Sequence, residues 1–338
     1  MGHDIIVVGT SAGGLDALRR LCSGLPADLP AAVLIVQHIA PMARSLLPDL
    51  LERAGPLPAA QATEGELIQR GRIYVAKPDF HLLVGQDGRA MVRRGPQENR
   101  TRPAVDPLFR SAAVACGPRV IGVVLSGMLD DGTAGLIAIK RCGGISVVQD
   151  PADAAWPSMP QNALLGDSVD YCVPVAEMAA LLDRLSREPA GPPRLVPPEL
   201  LAEARISNDE VPAMDEPLPT AGRPSVLSCP QCGGVLNEMQ DGKMLRFRCQ
   251  IGHAYGPEAL SAAQMEVLEE ALAVAVRTHR ERVVLFRRMQ ASAAQRGLDQ
   301  SAVRWGRAAE DAEQASQVIT HAIEVLRASI QGRPMSAA

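Results

Sequence analysis

The chain has 338 residues, 47% of them hydrophobic and 21% charged, so it is long enough for two or three domains and too apolar to be wholly disordered. Aromatic residues make up only 3%, which calls for an aliphatic core of the kind that packs helices on a parallel sheet rather than an aromatic β-sandwich. With 34 basic and 38 acidic residues the net charge is −4, which supplies no global field toward a polyanion, so nucleic acid is not an expected partner.

The start, Met1-Gly2-His3-Asp4, lacks the basic stretch of a signal peptide. No apolar run reaches the ~18 residues of a membrane span, so no membrane insertion is expected. Seven cysteines, an odd number, argue for a reducing compartment over a disulfide framework, and the expected location is the cytoplasm.

Along the first half, apolar β-branched runs alternate with helical patterns. Asp4–Val8, Ala32–Gln37, Val120–Leu125 and Ile145–Val148 read as strands, and Leu15–Leu25, Pro107–Ala115 and Gly132–Arg141 as helices. Such alternation predicts βαβ units with ligands at the carboxyl ends of the strands. The stretch Gly71–Val92 instead predicts an antiparallel hairpin region, with strands at Arg72–Ala76, His81–Val84 and Ala90–Val92. From Pro189 to Pro224 nine prolines exclude a long helix or central strand, which predicts a linker. Beyond it, Met265, Leu268, Leu272, Ala275, His279, Val283 and Phe286 keep a 3-4 spacing, and Ala312, Ala315, Ile319, Ala322, Leu326 and Ile330 repeat it. Gly297 and Asp299 between them act as breaker and N-cap, predicting two antiparallel helices. The arginines of this tail read as a solvated face.

The first strand runs into Gly9-Thr10-Ser11-Ala12-Gly13-Gly14 and then a helix. Two readings compete: an anion-cradling loop, and a nucleophile elbow of the G-x-S-x-G type that exposes Ser11. An activated serine needs a base and an orienting acid. This part of the chain offers His3, which precedes the first strand and is expected at the surface, His38 at the carboxyl end of the second strand, and His81. Asp130 and Asp131 stand where another strand meets a helix, and either could merely cap that helix. No histidine follows Asp131 within this part, so the order differs from that of an α/β-hydrolase. Cys22, Cys116, Cys142 and Cys172 have no ligand spacing and read as buried small apolar residues.

These blocks together resemble the catalytic domain of the CheB-type protein-glutamate methylesterases. The likeness runs through Gly9–Gly14, Val36–Pro41, Gly71–Val84, Arg102–Asp106 followed by Leu108–Ala113, Leu125–Gly135, and Gln149–Ala163 with its Met159-Pro160 pair. The resemblance implies that Ser11 is the nucleophile, His38 the general base and Asp131 the orienting acid, since Asp131 matches the family's Gly-Met-x-x-Asp-Gly pattern. It also implies the backbone N–H of Met128 as oxyanion donor. Arg102 and Asp106 lie in a matching block and read either as structural or substrate-positioning residues or as an ion pair at the approach to a helix. Ala12 replaces the family's common threonine, and Leu129 and Asp130 replace small residues. The implied activity is hydrolysis of glutamate methyl esters, and deamidation of glutamines, on chemoreceptor helices, with no cofactor for catalysis. The receiver domain that many members carry before the catalytic domain is expected to be absent, since Met1 stands three residues before the first strand. The competing expectation is a non-catalytic receptor-binding or scaffold protein; a nucleotide-binding α/β domain is a third.

A second signal is Cys229-x₂-Cys232-x₁₆-Cys249-x₃-His253, two ligand pairs that suit a structural zinc ribbon. The expected architecture is α/β, with a doubly wound, mostly parallel, Rossmann-like sheet and an antiparallel hairpin region, followed by a small zinc ribbon and an α-helical hairpin. The expected segments are a catalytic domain at 1–187, a proline-rich linker at 188–227, the ribbon at 228–257 and the helical tail at 258–332. The tail is expected to bind other chemosensory signalling proteins.

Overall fold

The computed structural model describes residues 2–166, 168–209 and 222–330, in two compact units, Met1–Ser261 and Ala262–Ala338. The chain begins with β1 (Ile5–Thr10), α1 (Gly14–Gly24), β2 (Ala32–Gln37), α2 (Leu47–Ala54), β3 (Ala59–Gln61) and β4 (Ile73–Val75). There follow β5 (His81–Val84), β6 (Ala90–Arg93), α3 (Val105–Cys116), β7 (Val120–Val124), α4 (Thr133–Arg141), β8 (Ile145–Gln149), α5 (Ser158–Gly166), β9 (Tyr171–Val173) and α6 (Val175–Arg187).

Seven of these strands form one sheet in the order β3-β4-β2-β1-β7-β8-β9, and every pairing in it is parallel. β1 at its centre is buried along its whole length, as its Ile-Ile-Val-Val run requires of a strand covered on both faces. Alternate side chains feed two cores. Val7, Leu34 and Val124 meet Phe109 of α3, Leu136 of α4 and Met159 of α5, while Val8, Ile35 and Val123 meet Leu18 of α1, Leu51 of α2 and Leu182 of α6. The sheet is thus doubly wound, with its strand order reversing on either side of β1.

β5 and β6 form the expected antiparallel hairpin, but the Arg72–Ala76 run does not join it. That run supplies β4, which lies parallel between β2 and β3 in the main sheet. A three-residue strand carries no periodicity that reveals direction, and its partners are distant in sequence. His3 is buried, 5% exposed, and burial pushes its imidazole below the usual range. Cys172 is exposed rather than buried, because it sits on the edge strand β9.

The segment expected as a linker contains α7 (Pro198–Ser207), which enters at two prolines whose missing N–H costs nothing in a first turn. Its Leu200 joins the core beside α3. Residues 210–221 of that segment lie outside the described residues. An antiparallel sheet then forms from β10 (Arg223–Ser228), β11 (Val235–Asp241), β12 (Met244–Cys249) and β13 (Ala254–Tyr255), in that order. It belongs to the same compact unit as the parallel sheet, fastened by buried charge. Arg246 and Arg248, two apart and on one face of β12, meet Glu203 of α7; Arg248 also reaches Glu98, which Arg110 of α3 joins at 2.6 Å. Burial alone would raise the Glu98 carboxyl, but the guanidinium charges of Arg110, Arg248 and Arg246 hold it at about 2.

α8 (Pro257–Gln295) leads from the first unit into the second, where α9 (Asp299–Ile330) folds back along it. Phe286 stacks on Trp305 at 5.5 Å, and Arg287 pairs with Glu313. Gly297 makes the turn, and Asp299 is the first helical residue rather than the cap before it. The side chain of Ile330 and residues 331–332 of the expected tail lie outside the described residues. Among the described residues no helix is long and apolar enough to cross a membrane.

Candidate functional site

Three neighbouring strands, β2, β1 and β7, end side by side, and each delivers one polar side chain to the rim. Ser11 follows β1, in a turn where Gly13 takes a left-handed conformation (φ 71°) and α1 begins at once. His38 follows β2, fastened by its backbone N–H to the Thr10 carbonyl. Asp131 lies in the turn between β7 and α4. His38 Nδ1 is 3.1 Å from Ser11 Oγ, and His38 Nε2 is 2.7 Å from Asp131 Oδ2, so the imidazole bridges hydroxyl and carboxylate. The imidazole is 14% exposed and the carboxylate 2%, an arrangement open at the serine and dry at the acid.

Asp131 is held by five donors. Oδ2 accepts the Val105 N–H at 2.7 Å as well as the imidazole; Oδ1 accepts the N–H groups of Asp106 and Gly132 and the Asn99 amide at 2.9 Å. Asp131 therefore caps α3. Asp106, on the first turn of α3, returns the favour by accepting the Gly132 and Gly135 N–H groups at the start of α4. This reciprocal capping sets each carboxylate at the positive end of the other helix. Burial would raise Asp131, but hydrogen bonding to His38, Val105 and Asn99 holds it below the usual carboxylate range; burial and the Asp131 charge push Asp106 well above that range.

The other expected residues take distinct places. Met128 lies in the turn beside Ser11: a Cβ on its neighbour Gly127 would fall 2.9 Å from that of Ser11. His81 is fully buried, bonded to the Pro96 carbonyl and the Ala104 N–H, and takes no part at the rim. Arg102 grips Asp79 and the Gly95 carbonyl rather than Asp106. Asp130 meets a different segment. Its carboxylate accepts the Glu258 N–H at 3.0 Å at the start of α8, and burial, opposed by that bond, raises it to about 7. Gln37, Asn99 and Gln149 were not singled out from sequence. Gln37 holds the Ser11 carbonyl and Gln149 the Ser126 N–H, long-range bonds that no spacing announces. An apolar groove of about 220 Å³ opens beside His38, lined by Leu15, Ile39, Leu46, Leu47 and Leu50.

At the centre of the parallel sheet a serine on a tight turn thus meets a histidine from one adjacent strand end and an aspartate from the other. The sequence model of the family described as CheB methylesterase matches residues 6–182, more than half of the chain. The chain belongs to the CheB methylesterase family. A protein of Leptospira interrogans is 37% identical over 187 residues, which are 55% of this chain and 97% of that protein. The protein-glutamate methylesterase/protein-glutamine glutaminase 3 of Anaeromyxobacter dehalogenans is 42% identical over 183 residues, 54% of this chain and 53% of that relative, so the chain spans about half that relative's length. The crystal structure of the Thermotoga maritima CheB methylesterase catalytic domain is similar with a TM-score of 0.52 and 31% identity, covering 54% of this chain and 98% of that one.

Beyond the part that matches the CheB methylesterase family lies the cluster of Cys229, Cys232, Cys249 and His253. Their ligand atoms all fall within 4.8 Å of one another, with Cys232 Sγ 3.7 Å from Cys249 Sγ and His253 Nδ1 3.5 and 3.7 Å from the Cys249 and Cys229 sulfurs. Metal–sulfur bonds of about 2.3 Å to a tetrahedral ion give ligand edges of about 3.8 Å, so the four residues fit one metal ion. Each pair sits on a tight turn, closed by Gly233 N–H to the Cys229 carbonyl and by Gly252 N–H to that of Cys249. The Tyr255 hydroxyl lies 3.6 Å from Cys229 Sγ, a neighbour that could donate to a bound thiolate.

Proposed function

We propose that this chain hydrolyses glutamate methyl esters, and deamidates glutamines, on methylated chemoreceptor helices in chemosensory adaptation, with Ser11 as nucleophile. The observation that carries this reading is the unbroken hydrogen-bonded path from Ser11 Oγ through His38 to Asp131. Ser11 Oγ attacks the ester carbonyl as His38 Nδ1 takes its proton, and the oxyanion forms near the Met128 N–H. The tetrahedral species collapses, and His38 returns the proton to departing methanol, or to ammonia from a glutamine. Water, deprotonated by His38, then releases the glutamate and frees Ser11. Asp131 keeps the imidazole oriented and stabilises it when charged. No cofactor enters these steps. Four protein ligands would leave a zinc ion no open position, so Cys229, Cys232, Cys249 and His253 are read as a structural zinc site. The seven cysteines, three of them at the proposed zinc site and none disulfide-bonded, suit the reducing cytoplasm.

Methanol release from methylated receptor, measured for the wild type and Ser11→Ala, tests the reading. Release is expected from the wild type, with a loss of at least about 10³-fold in the variant. Equal turnover by both would overturn the triad, and receptor binding without turnover by the wild type would favour the scaffold.

A further inference from the structure

The carboxyl-terminal extension reaches the triad. β13 runs beside residues 97–99: the Asn99 N–H meets the Ala254 carbonyl at 2.8 Å, and the Ala254 N–H meets that of Gln97. Asn99, 5% exposed and with φ 48°, then divides its side chain between two regions. Its Nδ2 donates to Asp131 Oδ1 at 2.9 Å and to Asp106 Oδ2 at 2.8 Å, and its Oδ1 accepts the Gly256 N–H at 2.9 Å. Two residues on, the Glu258 N–H binds Asp130, the direct neighbour of Asp131, and Glu258 Oε2 takes the Asn162 amide, which also holds the Leu129 carbonyl. Gly256 packs so close that a Cβ there would lie 2.1 Å from Asp130 Oδ2.

We infer that Asn99 is a positioning residue for the reaction and that Ala254–Glu258 positions Asn99, making the extension a part of the esterase site. This rests on the triad reading. An amide has a fixed plane, so an acceptor occupied on one side fixes where its two donors point on the other. Gly256 thereby orients the donor that shares Asp131 Oδ1 with two backbone N–H groups, and Asp131 in turn sets the imidazole.

The test uses the full chain and two probes: methanol release from methylated receptor, and the labelling rate of Ser11 by a fluorophosphonate, which reads serine activation without any receptor. Asn99→Ala should lower both rates about tenfold, with KM little changed. Losing a donor leaves more charge on Asp131 Oδ1, so the acidic limb of kcat/KM should move to higher pH, which a merely structural residue would not produce. Gly256→Ala must displace the Asp130 carboxylate and should lower labelling as well. Adding Asp130→Ala to Gly256→Ala removes the colliding atoms and should recover most of the loss. Thermal unfolding and bound-metal content identify variants that are folded. Folded Asn99→Ala and Gly256→Ala with wild-type labelling rates and pH profiles would overturn the inference, as would a double variant no faster than Gly256→Ala. Wild-type protein that labels at Ser11 yet releases no methanol would instead count against the proposed substrate and leave the positioning result readable.

Discussion

The two candidate sites of this chain are built by opposite strategies. The Ser11–His38–Asp131 group draws its members from three strand ends up to 120 residues apart in sequence and holds them with helix caps and a sheet buried on both faces. The Cys229–His253 cluster draws all four members from 25 consecutive residues, on two tight turns of a small sheet. A site made from distant segments needs a finished fold before it exists, and its stability is that of the domain. A site made from local turns has little core behind it and depends on the ion that its ligands would share. The difference teaches where each should break.

Metal removal is the sharpest way to part them. Structural zinc in small modules supplies on the order of 10 kcal/mol of folding free energy. A strong chelator is therefore expected to abolish amide-exchange protection in β10–β13 while the seven-stranded sheet keeps its own. Retained protection in β10–β13 after demonstrated metal loss, or a chain purified in reducing buffer with no bound zinc, would show that the buried charges alone hold the small sheet. The next largest effect lies in the other region. Asp131→Asn cannot stabilise a charged imidazole and turns a donor toward groups that already donate there, so a fall of about 10⁴ in turnover is expected with the metal content unchanged. A fall of less than tenfold would assign the orienting role elsewhere.

The boundary between the two regions is the buried set of Arg110, Arg246 and Arg248 with Glu98, Glu203 and Asp241. Three positive and three negative groups balance there, so removing one member leaves a charge buried without compensation. Glu203→Gln should cost about 3–5 kcal/mol in urea unfolding. It should also separate the loss of β10–β13 protection from the main transition. A cost below about 1 kcal/mol would mean that water reaches the guanidinium groups and the weld is weak.

The contrast also governs what could be read from sequence. Local features were legible: β2, the β5–β6 hairpin, the helical tail and the close grouping of Cys229, Cys232, Cys249 and His253 each sit within a few turns of chain. The strand ends were legible too, because glycine-bearing turns close the apolar runs before Ser11 and Asp131. Choosing Asp131 over Asp130 required resemblance to the family, since either acid could cap a helix, and in fact Asp130 serves α8 while Asp131 serves α3. Asn99 was invisible, because its value lies in bonds to residues 7, 32 and 157 positions away. α7 was hidden by the prolines around it, which open a helix as readily as they prevent one. Arg246 and Arg248 read as ordinary strand residues, because alternation shows that they share a face and not that acids from two other segments cover it.

Asp130 gives the smallest effect and the most informative sign. It lies in the turn that carries Asp131 yet caps α8, so it belongs to both regions. Burial, offset by the Glu258 N–H and reinforced by the Glu258 and Asp131 charges, brings its carboxyl to about 7 against an ordinary 3.8. Between those two pH values the folded chain keeps a proton that the unfolded chain has released, so stability falls as pH rises through this window and stays lowered above it. Asp130→Asn cannot ionise, and its amide oxygen can still accept the Glu258 N–H. The variant should match the wild type near pH 4 and exceed it at pH 8, by on the order of 2 kcal/mol once the buried site has relaxed. Thermal unfolding across pH 4–8 measures the gap between the two curves. Parallel curves would mean that the carboxylate is solvated in the folded chain, and the turn carrying Asp130 and Asp131 would then be less tightly closed by the extension than the contacts of Gly256 and Glu258 require.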